Sequence, residues 1–435
     1  MRTAPRPRMA VLGLDGLPLA LARRLAARGT TPNLARLLPG AGALRAELPE
    51  LSPVNWTSFF TAAGPEEHGV FGFTRLDPAT YATALTDASC VAAPTIFQRL
   101  GARGLTSRVL NLPGTYPARP LKGMLVAGFV APELRGAVYP PFLAAPLAAR
   151  GYRLEADTVR GGADHDFLLA DLAATLDSRR AALALLWPDL AWDLFVFVLT
   201  ETDRLFHFLY DAVDDPGHPR HQATTALLRR WDAALGDFLN RFEALPRPRR
   251  LLVLADHGFT RLETEVDLNS WLADQGLARL TGAHDHENDA TALASDSRAL
   301  ALDPGRIFLH TREGFAAGCV TPAQAPALAA RIRDGLLALT HRGRPVIRAV
   351  HEGPVLYPGP RVPGAPDLLA EPHPGFSLTA KFDGRPVFGQ YGRTGVHTAD
   401  DAFFHDSDPG PGPGPARPRD VGKLVLDFFG AAQQT

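Results

Sequence analysis

Short runs of apolar residues along the chain end abruptly at an acidic residue. Three runs show this pattern, namely residues 9–14 before Asp15, residues 194–200 before Glu201, and residues 251–255 before Asp256. Uninterrupted apolar runs of this length are typical of strands that are buried on both faces of a parallel sheet. Because the carboxyl ends of parallel strands share one edge of the sheet, and ligands of such sheets bind there, we expect these acids to face one site.

Segments with helical periodicity separate these runs. Apolar residues recur at helical spacing in residues 18–28, 94–104, 166–187 and 224–245, and a closing helix is predicted at residues 420–430. Strands that alternate with helices predict an α/β fold with a doubly wound, mostly parallel sheet flanked by helices.

The pattern changes in residues 263–375. A polar stretch there is followed by a short apolar run, a predicted helix at residues 323–339 and a passage rich in proline and glycine. We interpret residues 263–375 as an inserted cap or accessory subdomain. The catalytic core would then consist of a first part, residues 1–262, and a closing part, residues 376–435.

Composition and charge limit the classes of partner. With 45 Lys and Arg against 46 Asp and Glu, the formal net charge of the 435-residue chain is −1, so we expect no stable nucleic-acid partner and no membrane partner. The two cysteines, Cys90 and Cys319, are too few for a disulfide framework or a thiolate zinc site. No apolar stretch reaches the roughly 20 residues that span a bilayer. Asp15 and Pro18 interrupt the first apolar run, which we interpret as a strand rather than a secretory signal, and we expect a cytoplasmic protein.

Aspartate and histidine recur at spacings that suit a metal site. Asp203 and His207 are four residues apart, so a helix would place both side chains on one face. Asp256 and His257 are followed by Gly258, and a turn there would let both side chains enter one cleft. His397 lies in a glycine-flanked loop. Taken one at a time, these residues also fit a surface Asp/His pair, a helix cap or an exposed loop histidine.

A serine with proline after it opens a short predicted helix. Ser52 precedes Pro53, and the segment to Thr61 is expected to be helical. The N-terminus of a helix stabilises negative charge and offers backbone donors to phosphate. Ser52 could equally be an ordinary N-cap, which is the commoner use of serine at this position.

The order of these motifs resembles the alkaline phosphatase superfamily, in particular its type I phosphodiesterase/nucleotide pyrophosphatase family. The matching residues are Asp15 after the first strand, Ser52 at a helix start with His68 and Gly69 downstream, Asp203 with His207, Asp256 with His257 and Gly258, and finally His397. Residues 267–277 and 364–378 are similar to the segments that surround these motifs in the family. The resemblance extends from about residue 9 to residue 430. It implies an alkaline-phosphatase-like fold.

The resemblance also implies a site with two divalent metal ions, usually zinc, with manganese as the alternative. One ion would be bound by Asp203, His207 and His397. The other would be bound by Asp15, Asp256 and His257, with the Ser52 oxygen as its remaining ligand. Ser52 would attack the phosphorus of a small-molecule phosphoester in line, and water would hydrolyse the resulting phosphoseryl intermediate. Phosphodiester or nucleotide pyrophosphate bonds are the expected substrates.

Two departures from the family pattern leave alternatives open. The family has an asparagine that binds a phosphoryl oxygen where this chain has Phe73, so that donor is unassigned, with Asn55 and Arg204 as candidates. The family nucleophile is often threonine, and Thr57 and Ser58 lie close to Ser52. We favour Ser52, because its offset from Thr61 and His68 matches the family spacing.

Other functions compatible with this fold are a phosphomonoesterase and a phosphomutase. A catalytically silent protein that binds metal or phosphate is the non-enzymatic alternative. It is disfavoured because all six Asp and His ligands of the family are present.

Overall fold

The computed structural model describes residues 6–281, 287–360 and 362–431. The chain divides into two compact units. The first unit contains the residues up to Gly64, then Asp87–Thr260, and the chain from Gly392 onward. The second unit contains Pro65–Thr86 and Arg261–Tyr391.

The strands are short, and those of the first unit are the more completely buried. In chain order they are β1 Arg8–Leu14, β2 Gly42–Leu44, β3 Thr74–Leu76, β4 Thr83–Leu85, β5 Ser107–Leu112, β6 Gly123–Ala127, β7 Val138–Tyr139, β8 Leu194–Leu199, β9 Arg249–Leu254, β10 Gly258–Arg261, β11 Thr264–Asp267, β12 Ala299–Leu302, β13 Arg306–Leu309, β14 Thr340–His341, β15 Arg344–Pro345, β16 Ile347–Glu352, β17 Leu368–Pro372, β18 Phe376–Thr379, β19 Phe388–Gly389, β20 Gly395–Thr398 and β21 Ala402–Asp406.

The longest helices belong to the first unit. In chain order the helices are α1 Leu19–Ala27, α2 Pro32–Ala35, α3 Ser52–Thr61, α4 Pro65–His68, α5 Ile96–Ala102, α6 Leu134–Ala137, α7 Ala144–Ala148, α8 Thr158–Ala163, α9 His165–Leu186, α10 Glu201–Asp214, α11 His221–Glu243, α12 Leu268–Asp274, α13 Ala325–Leu337, α14 Gly353–Leu356 and α15 Pro418–Phe428. Short 3₁₀ turns lie at Ala88–Cys90, Pro141–Leu143 and Ala290–Ala292.

The central sheet of the first unit has the order β2-β21-β9-β1-β8-β5-β6-β7 over the described residues. The five strands from β9 to β6 in this order are parallel, while β2, β21 and β7 pair antiparallel at the two sides. The apolar side chains of β1, β8 and β9 are buried, and they form one hydrophobic core with the surrounding helices. The predicted α/β fold with a mostly parallel sheet flanked by helices is confirmed.

The register of the three central strands brings the predicted acids to one edge. Leu14, the last residue of β1, pairs with Leu199, the last residue of β8, and Gly13 pairs with Leu254 at the end of β9. Because the three strands end at nearly the same level, the residues that follow them meet above the sheet. This is the edge that the sequence pattern predicts for the site.

The second unit is built from small, mainly antiparallel sheets. Strands β12, β13, β17 and β16 form one sheet in that order, and β18, β11 and β19 form another. The buried side chains of β11, α12, β13, α13 and β17 form a core of their own. No described helix is both long and apolar enough to cross a membrane.

The second unit differs in extent from the predicted insert of residues 263–375. It continues past residue 375, because β18 and β19 both pair with β11. It also includes the hairpin β3–β4, where the Tyr81 hydroxyl lies 2.5 Å from His310 Nε2 and Arg306 donates to the Thr74 carbonyl at 2.9 Å. These contacts join residues that are more than 200 positions apart, and local sequence patterns do not reveal them.

Candidate metal centre

Three carboxylates converge beyond the carboxyl ends of the central strands. Asp15 directly follows β1, Asp256 lies just beyond β9, and Asp203 lies in the first turn of α10, which follows β8. All three residues are fully buried. Buried carboxylates are stable only when cations or hydrogen-bond donors compensate them, so their surroundings indicate what the site binds.

Asp15 is held by contacts at both its backbone and its side chain. Its N–H donates to the Leu199 carbonyl at 3.0 Å, and its carbonyl accepts from Thr202 Oγ1 at 2.6 Å. Oδ2 accepts from the Trp56 indole Nε1 at 3.0 Å, and Oδ1 accepts from Ser52 Oγ at 3.3 Å. These bonds fix the direction in which the carboxylate points.

Asp203, His207 and His397 form the first cluster of possible metal ligands. His397 Nε2 lies 3.1 Å from Asp203 Oδ1 and 3.0 Å from His207 Nε2. His397 Nδ1 lies 3.0 Å from the Glu50 carbonyl, which only accepts, so Nδ1 carries the proton and Nε2 turns a lone pair toward the other two ligands. Two imidazole nitrogens and a carboxylate oxygen that converge in this way form a donor set for zinc.

A kink in α10, the helix that carries Asp203 and His207, provides the contacts that hold the segment with His397. Leu209 has non-helical dihedral angles (φ −135°, ψ 29°), and Thr394 interacts with the helix at this point. Thr394 N donates to the His207 carbonyl at 2.8 Å, and Thr394 Oγ1 accepts from Tyr210 N at 2.9 Å. The interrupted helix therefore anchors the segment that carries His397.

Asp15, Asp256 and His257 form the second cluster. Asp256 Oδ1 accepts from Gly16 N at 3.1 Å, in a turn where Gly16 has a φ of +68° that favours glycine. Asp256 Oδ2 is buried and has no hydrogen-bond partner among the described residues. His257 Nδ1 donates to the Gly258 carbonyl at 3.1 Å, which leaves the Nε2 lone pair toward the site. An unpartnered buried carboxylate oxygen beside an imidazole lone pair fits a divalent cation.

The two clusters adjoin. The His257 and His397 rings stack with centroids 3.7 Å apart, and His257 Nε2 lies 3.9 Å from Asp203 Oδ1. The structure therefore brings together all six predicted Asp and His ligands. That they bind metal ions stays a prediction.

The electrostatics of the site favour a bound cation. Burial, together with the carboxylates of Asp256 and Asp203, raises the pKa of Asp15 well above its usual value. Burial raises the pKa of Asp256 to about 6. Burial also lowers the pKa values of His207, His257 and His397, so these imidazoles are neutral and can act as ligands near neutral pH.

Asp203 behaves differently from the other two carboxylates. Burial by itself would raise the pKa of Asp203, but His207, Arg204 and His397 more than offset it and hold that pKa well below the usual value. Asp203 is therefore the member of the trio that is most firmly ionised.

Ser52 is the hydroxyl that contacts the second cluster. Its Oγ lies 3.3 Å from Asp15 Oδ1 and 3.2 Å from His257 Nε2, and the residue is 3% exposed. Ser52 is the first residue of α3, as predicted, but the N-cap is Leu51, so the hydroxyl does not serve as a cap. Thr57 lies five residues along the helix, with Oγ1 directed toward Gly114. Of these hydroxyls, only Ser52 shows a hydrogen-bond contact to the clusters among the described residues.

Asn55 does not face the site. Its Oδ1 accepts from Glu47 N at 2.6 Å, and its Nδ2 donates to the Leu51 and Glu47 carbonyls at 3.0 and 3.3 Å. The amide thus ties the preceding loop to α3 and has no donor left for a ligand. Of the two candidate phosphoryl-oxygen donors, this leaves Arg204.

Comparisons with known proteins identify the family of the chain. The family model described as type I phosphodiesterase / nucleotide pyrophosphatase matches residues 9–405. The chain belongs to this family. It is accordingly a hydrolase that acts on phosphoric esters. Members of the family are metal-dependent, in line with the ligand clusters. No curated protein sequence matches the chain at a significant level.

Solved structures of low sequence identity share the fold. Phosphonoacetate hydrolase from Sinorhizobium meliloti 1021, in complex with phosphonoformate, is 15% identical with a TM-score of 0.64, over 99% of this chain and 96% of that one. An inactive variant of murine ectonucleotide pyrophosphatase/phosphodiesterase 5, in complex with AMP, is 13% identical with a TM-score of 0.59, over 98% and 95%. The human form of the latter protein is 14% identical with a TM-score of 0.56, over 98% and 96%.

Sequence reasoning did not find the role of Trp56. A tryptophan in an apolar helix is ordinarily part of the core, and Trp56 is fully buried. Its indole reaches Asp15 because Gly13 in β1 has no side chain; a Cβ there would lie 2.5 Å from Trp56 Cη2. The sequence signal was the glycine inside an otherwise apolar strand, which marks a close approach.

Replacing Trp56 with phenylalanine is expected to weaken metal binding about 10- to 100-fold, because Asp15 loses the donor that orients it. The measurement is metal content by mass spectrometry after dialysis against graded concentrations of a chelator. Trp192→Phe is the matched control, since Trp192 is also buried but its indole lies 3.4 Å from the Trp187 carbonyl, away from the ligands. Equal metal retention by both variants would refute the orienting role.

Proposed function

We propose that the protein hydrolyses phosphodiester or nucleotide pyrophosphate bonds by attack of Ser52 on phosphorus, through a phosphoseryl intermediate. The observation that supports this most directly is the contact of Ser52 Oγ with Asp15 and His257, two members of one ligand cluster. A serine hydroxyl is a weak nucleophile at its ordinary pKa and requires activation by its neighbours.

The residues fit two divalent ions, zinc or manganese. Asp15, Asp256 and His257 would hold one ion together with the Ser52 oxygen, and Asp203, His207 and His397 would hold the other. Bound in this way, divalent ions supply Lewis acidity and positive charge to phosphoryl transfer. The six Asp and His side chains carry three formal negative charges when the imidazoles are neutral, so two divalent ions would give the centre a net positive charge that suits an anionic ester.

The protein's own groups would prepare the attack. Asp15 Oδ1 accepts the hydrogen bond of the Ser52 hydroxyl and so orients its lone pairs. The position of Ser52 at the first residue of α3, a ten-residue helix, places the developing charge at the positive end of the helix dipole. Attack would form the Ser52 Oγ–phosphorus bond as the bond from phosphorus to the ester oxygen breaks, and the hydroxyl proton would pass to the Asp15 carboxylate. Attack by water on phosphorus would then break the Ser52 Oγ–phosphorus bond, release the phosphate product and return a proton to Ser52.

The family supports the proposed substrate preference. Its description names phosphodiesterase and nucleotide pyrophosphatase, and the murine protein of the same fold was solved with AMP. A phosphomonoesterase or phosphomutase on this scaffold is the alternative, and a silent binding protein is the non-enzymatic one.

We expect kcat/KM for bis-p-nitrophenyl phosphate to exceed that for p-nitrophenyl phosphate by at least about tenfold. The first substrate is a phosphodiester, the class of bond that the family description names, whereas the second is a monoester. Release of p-nitrophenol by the zinc- or manganese-loaded protein is the measurement. The reverse preference would identify a monoesterase, and phosphate transfer to a second alcohol would identify a mutase. If neither substrate were hydrolysed in a way that requires Ser52, the protein would be the catalytically silent binding protein.

A further inference from the structure

Arg204 is a cationic side chain fixed beside the two clusters. It follows Asp203 on α10, donates to Asp203 Oδ2 through Nη1, and donates to Glu155 Oε2 through Nη2 at 3.2 Å. The guanidinium also lies over the Phe129 ring, with Cζ 4.8 Å from the ring centroid. Two carboxylates at its edge and an aromatic ring at its face thus define its orientation.

The support of Arg204 continues into the interior of the unit. Glu155 also accepts from Arg179 Nη2 at 3.4 Å, and Arg179 is completely buried. Arg179 Nη1 donates to Glu201 Oε1 at 2.6 Å and to Thr200 Oγ1 at 2.7 Å. Arg204 is therefore the last member of a series of alternating positive and negative side chains. Its side chain is 11% exposed, so this end of the series is in contact with solvent.

The centre needs hydrogen-bond donors that its metal ligands do not provide. A phosphoryl group presents non-bridging oxygens, whereas carboxylates and unprotonated imidazole nitrogens only accept. The donors seen on the three ligand carboxylates are Gly16 N, Ser52 Oγ, Trp56 Nε1 and Arg204. The first three have a single hydrogen each, already given to a carboxylate. A guanidinium has five, of which the described contacts use two.

We propose that Arg204 binds a non-bridging oxygen of the phosphoryl group that Ser52 attacks, and so acts as the phosphoryl-oxygen donor of this site. The proposal rests on the proposed function, because it assumes the same phosphoryl position. Glu155 and Phe129 hold the Arg204 guanidinium in a fixed orientation before substrate binds. Hydrogen-bond donors that are pre-organised in this way stabilise the transition state more than mobile donors do. The planar fork and permanent charge of arginine suit a phosphoryl oxygen.

The test combines Arg204→Gln with Ser52→Ala, so that ligand binding is measured without turnover. Inorganic phosphate, titrated calorimetrically into the zinc-loaded protein, is expected to bind Ser52→Ala/Arg204→Gln at least about tenfold more weakly than Ser52→Ala. Metal content by mass spectrometry should be the same in both. With Ser52 intact, Arg204→Gln is expected to lower kcat/KM for bis-p-nitrophenyl phosphate by about 10²- to 10³-fold.

Two further variants keep the test decisive. Arg204→Gln/Glu155→Gln removes both partners of this ion pair. A folding defect caused by a Glu155 that keeps only Arg179 as its charged partner would therefore be absent, while the phosphate-binding defect would persist. Arg393→Gln is the charge-matched control. Arg393 is exposed, and its charge acts on His207, but no hydrogen bond joins it to a ligand among the described contacts. We expect Arg393→Gln to bind phosphate within about twofold of its parent.

Two results would overturn the proposal. Unchanged phosphate affinity in the Arg204 variants would show that Arg204 does not contact the phosphoryl group. A loss of phosphate affinity that tracks a loss of metal would show that Arg204 only positions Asp203. If the Ser52→Ala protein itself bound metal but no phosphate, and the wild-type protein turned over no ester, the proposed function would be at fault instead.

Discussion

Ser52→Ala is expected to reduce the turnover number for phosphoester hydrolysis by roughly three to six orders of magnitude. The substitution removes the oxygen that would form the bond to phosphorus. The other hydroxyl seen to bond a cluster residue, that of Thr202, donates to the Asp15 backbone carbonyl and not to a ligand atom. Steady-state release of p-nitrophenol, with metal content measured on the same samples, is the appropriate assay. Metal loading should fall by far less than the rate, because the six Asp and His ligands are untouched.

Thr57→Ala and Ser58→Ala are the matched controls for this experiment. Both residues lie on α3, and each substitution removes a hydroxyl from a buried position. We expect both variants to keep the turnover number within about tenfold of the wild type. A full rate in Ser52→Ala together with a lost rate in Thr57→Ala would assign the nucleophile to Thr57. In a single-turnover experiment, a labelled phosphoryl group should be found on Ser52 of the wild-type protein.

Removal of divalent metal is expected to reduce hydrolysis at least about 100-fold, and added zinc or manganese should restore it. The physical reason is the concentration of buried carboxylates. Without cations, burial and the neighbouring carboxylates raise the pKa of Asp15 well above its usual value, and burial raises the pKa of Asp256 to about 6. Treatment with a chelator, followed by assay with each metal, measures the effect. Mass spectrometry should find about two ions per chain, one for each ligand cluster. A metal-free protein with full activity would refute the mechanism.

Single substitutions should separate the two clusters. His207→Ala and Asp256→Asn each remove a ligand from a different cluster, and each is expected to lower the metal content toward one ion per chain. His218→Ala is the control for His207→Ala. His218 also pairs with an aspartate, since its Nε2 lies 3.7 Å from Asp211 Oδ2, but it is not part of either cluster. Identical metal content in all three variants would contradict the assignment of the ligands.

Local sequence patterns predicted the first unit well. The apolar runs became β1, β8 and β9, and the periodic segments became α1, α5, α9 and α11, because strand and helix formation in a buried core depends chiefly on the spacing of apolar side chains. The acids at the strand ends followed from the same reasoning, since parallel strands that begin and end in register must deliver their next residues to one edge. The helical repeat alone was enough to predict that the side chains of Asp203 and His207 lie on the same face of α10.

Contacts between distant residues decided what local patterns left open. Asn55 and Arg204 were equal candidates for the phosphoryl-oxygen donor until the structure showed the Asn55 amide bonded to the backbone of residues 47 and 51. Similarly, Ser52 could have been a helix cap, and only its distances to Asp15 and His257 place it in the centre. The division between the two units also depended on pairings of β11 with strands more than a hundred residues away.

The sequence by itself therefore indicated the fold class, the family and the six Asp and His residues that meet in the site, because each depends on residue type, short-range spacing or chain order. Only the tertiary structure decided which groups support them: the Trp56 indole on Asp15, the kink of α10 that anchors the His397 segment, and the alternating charges that hold Arg204. These supports arise where strands and helices distant in sequence pack together. Their geometry is fixed by burial and hydrogen bonding, which no pattern along the chain encodes.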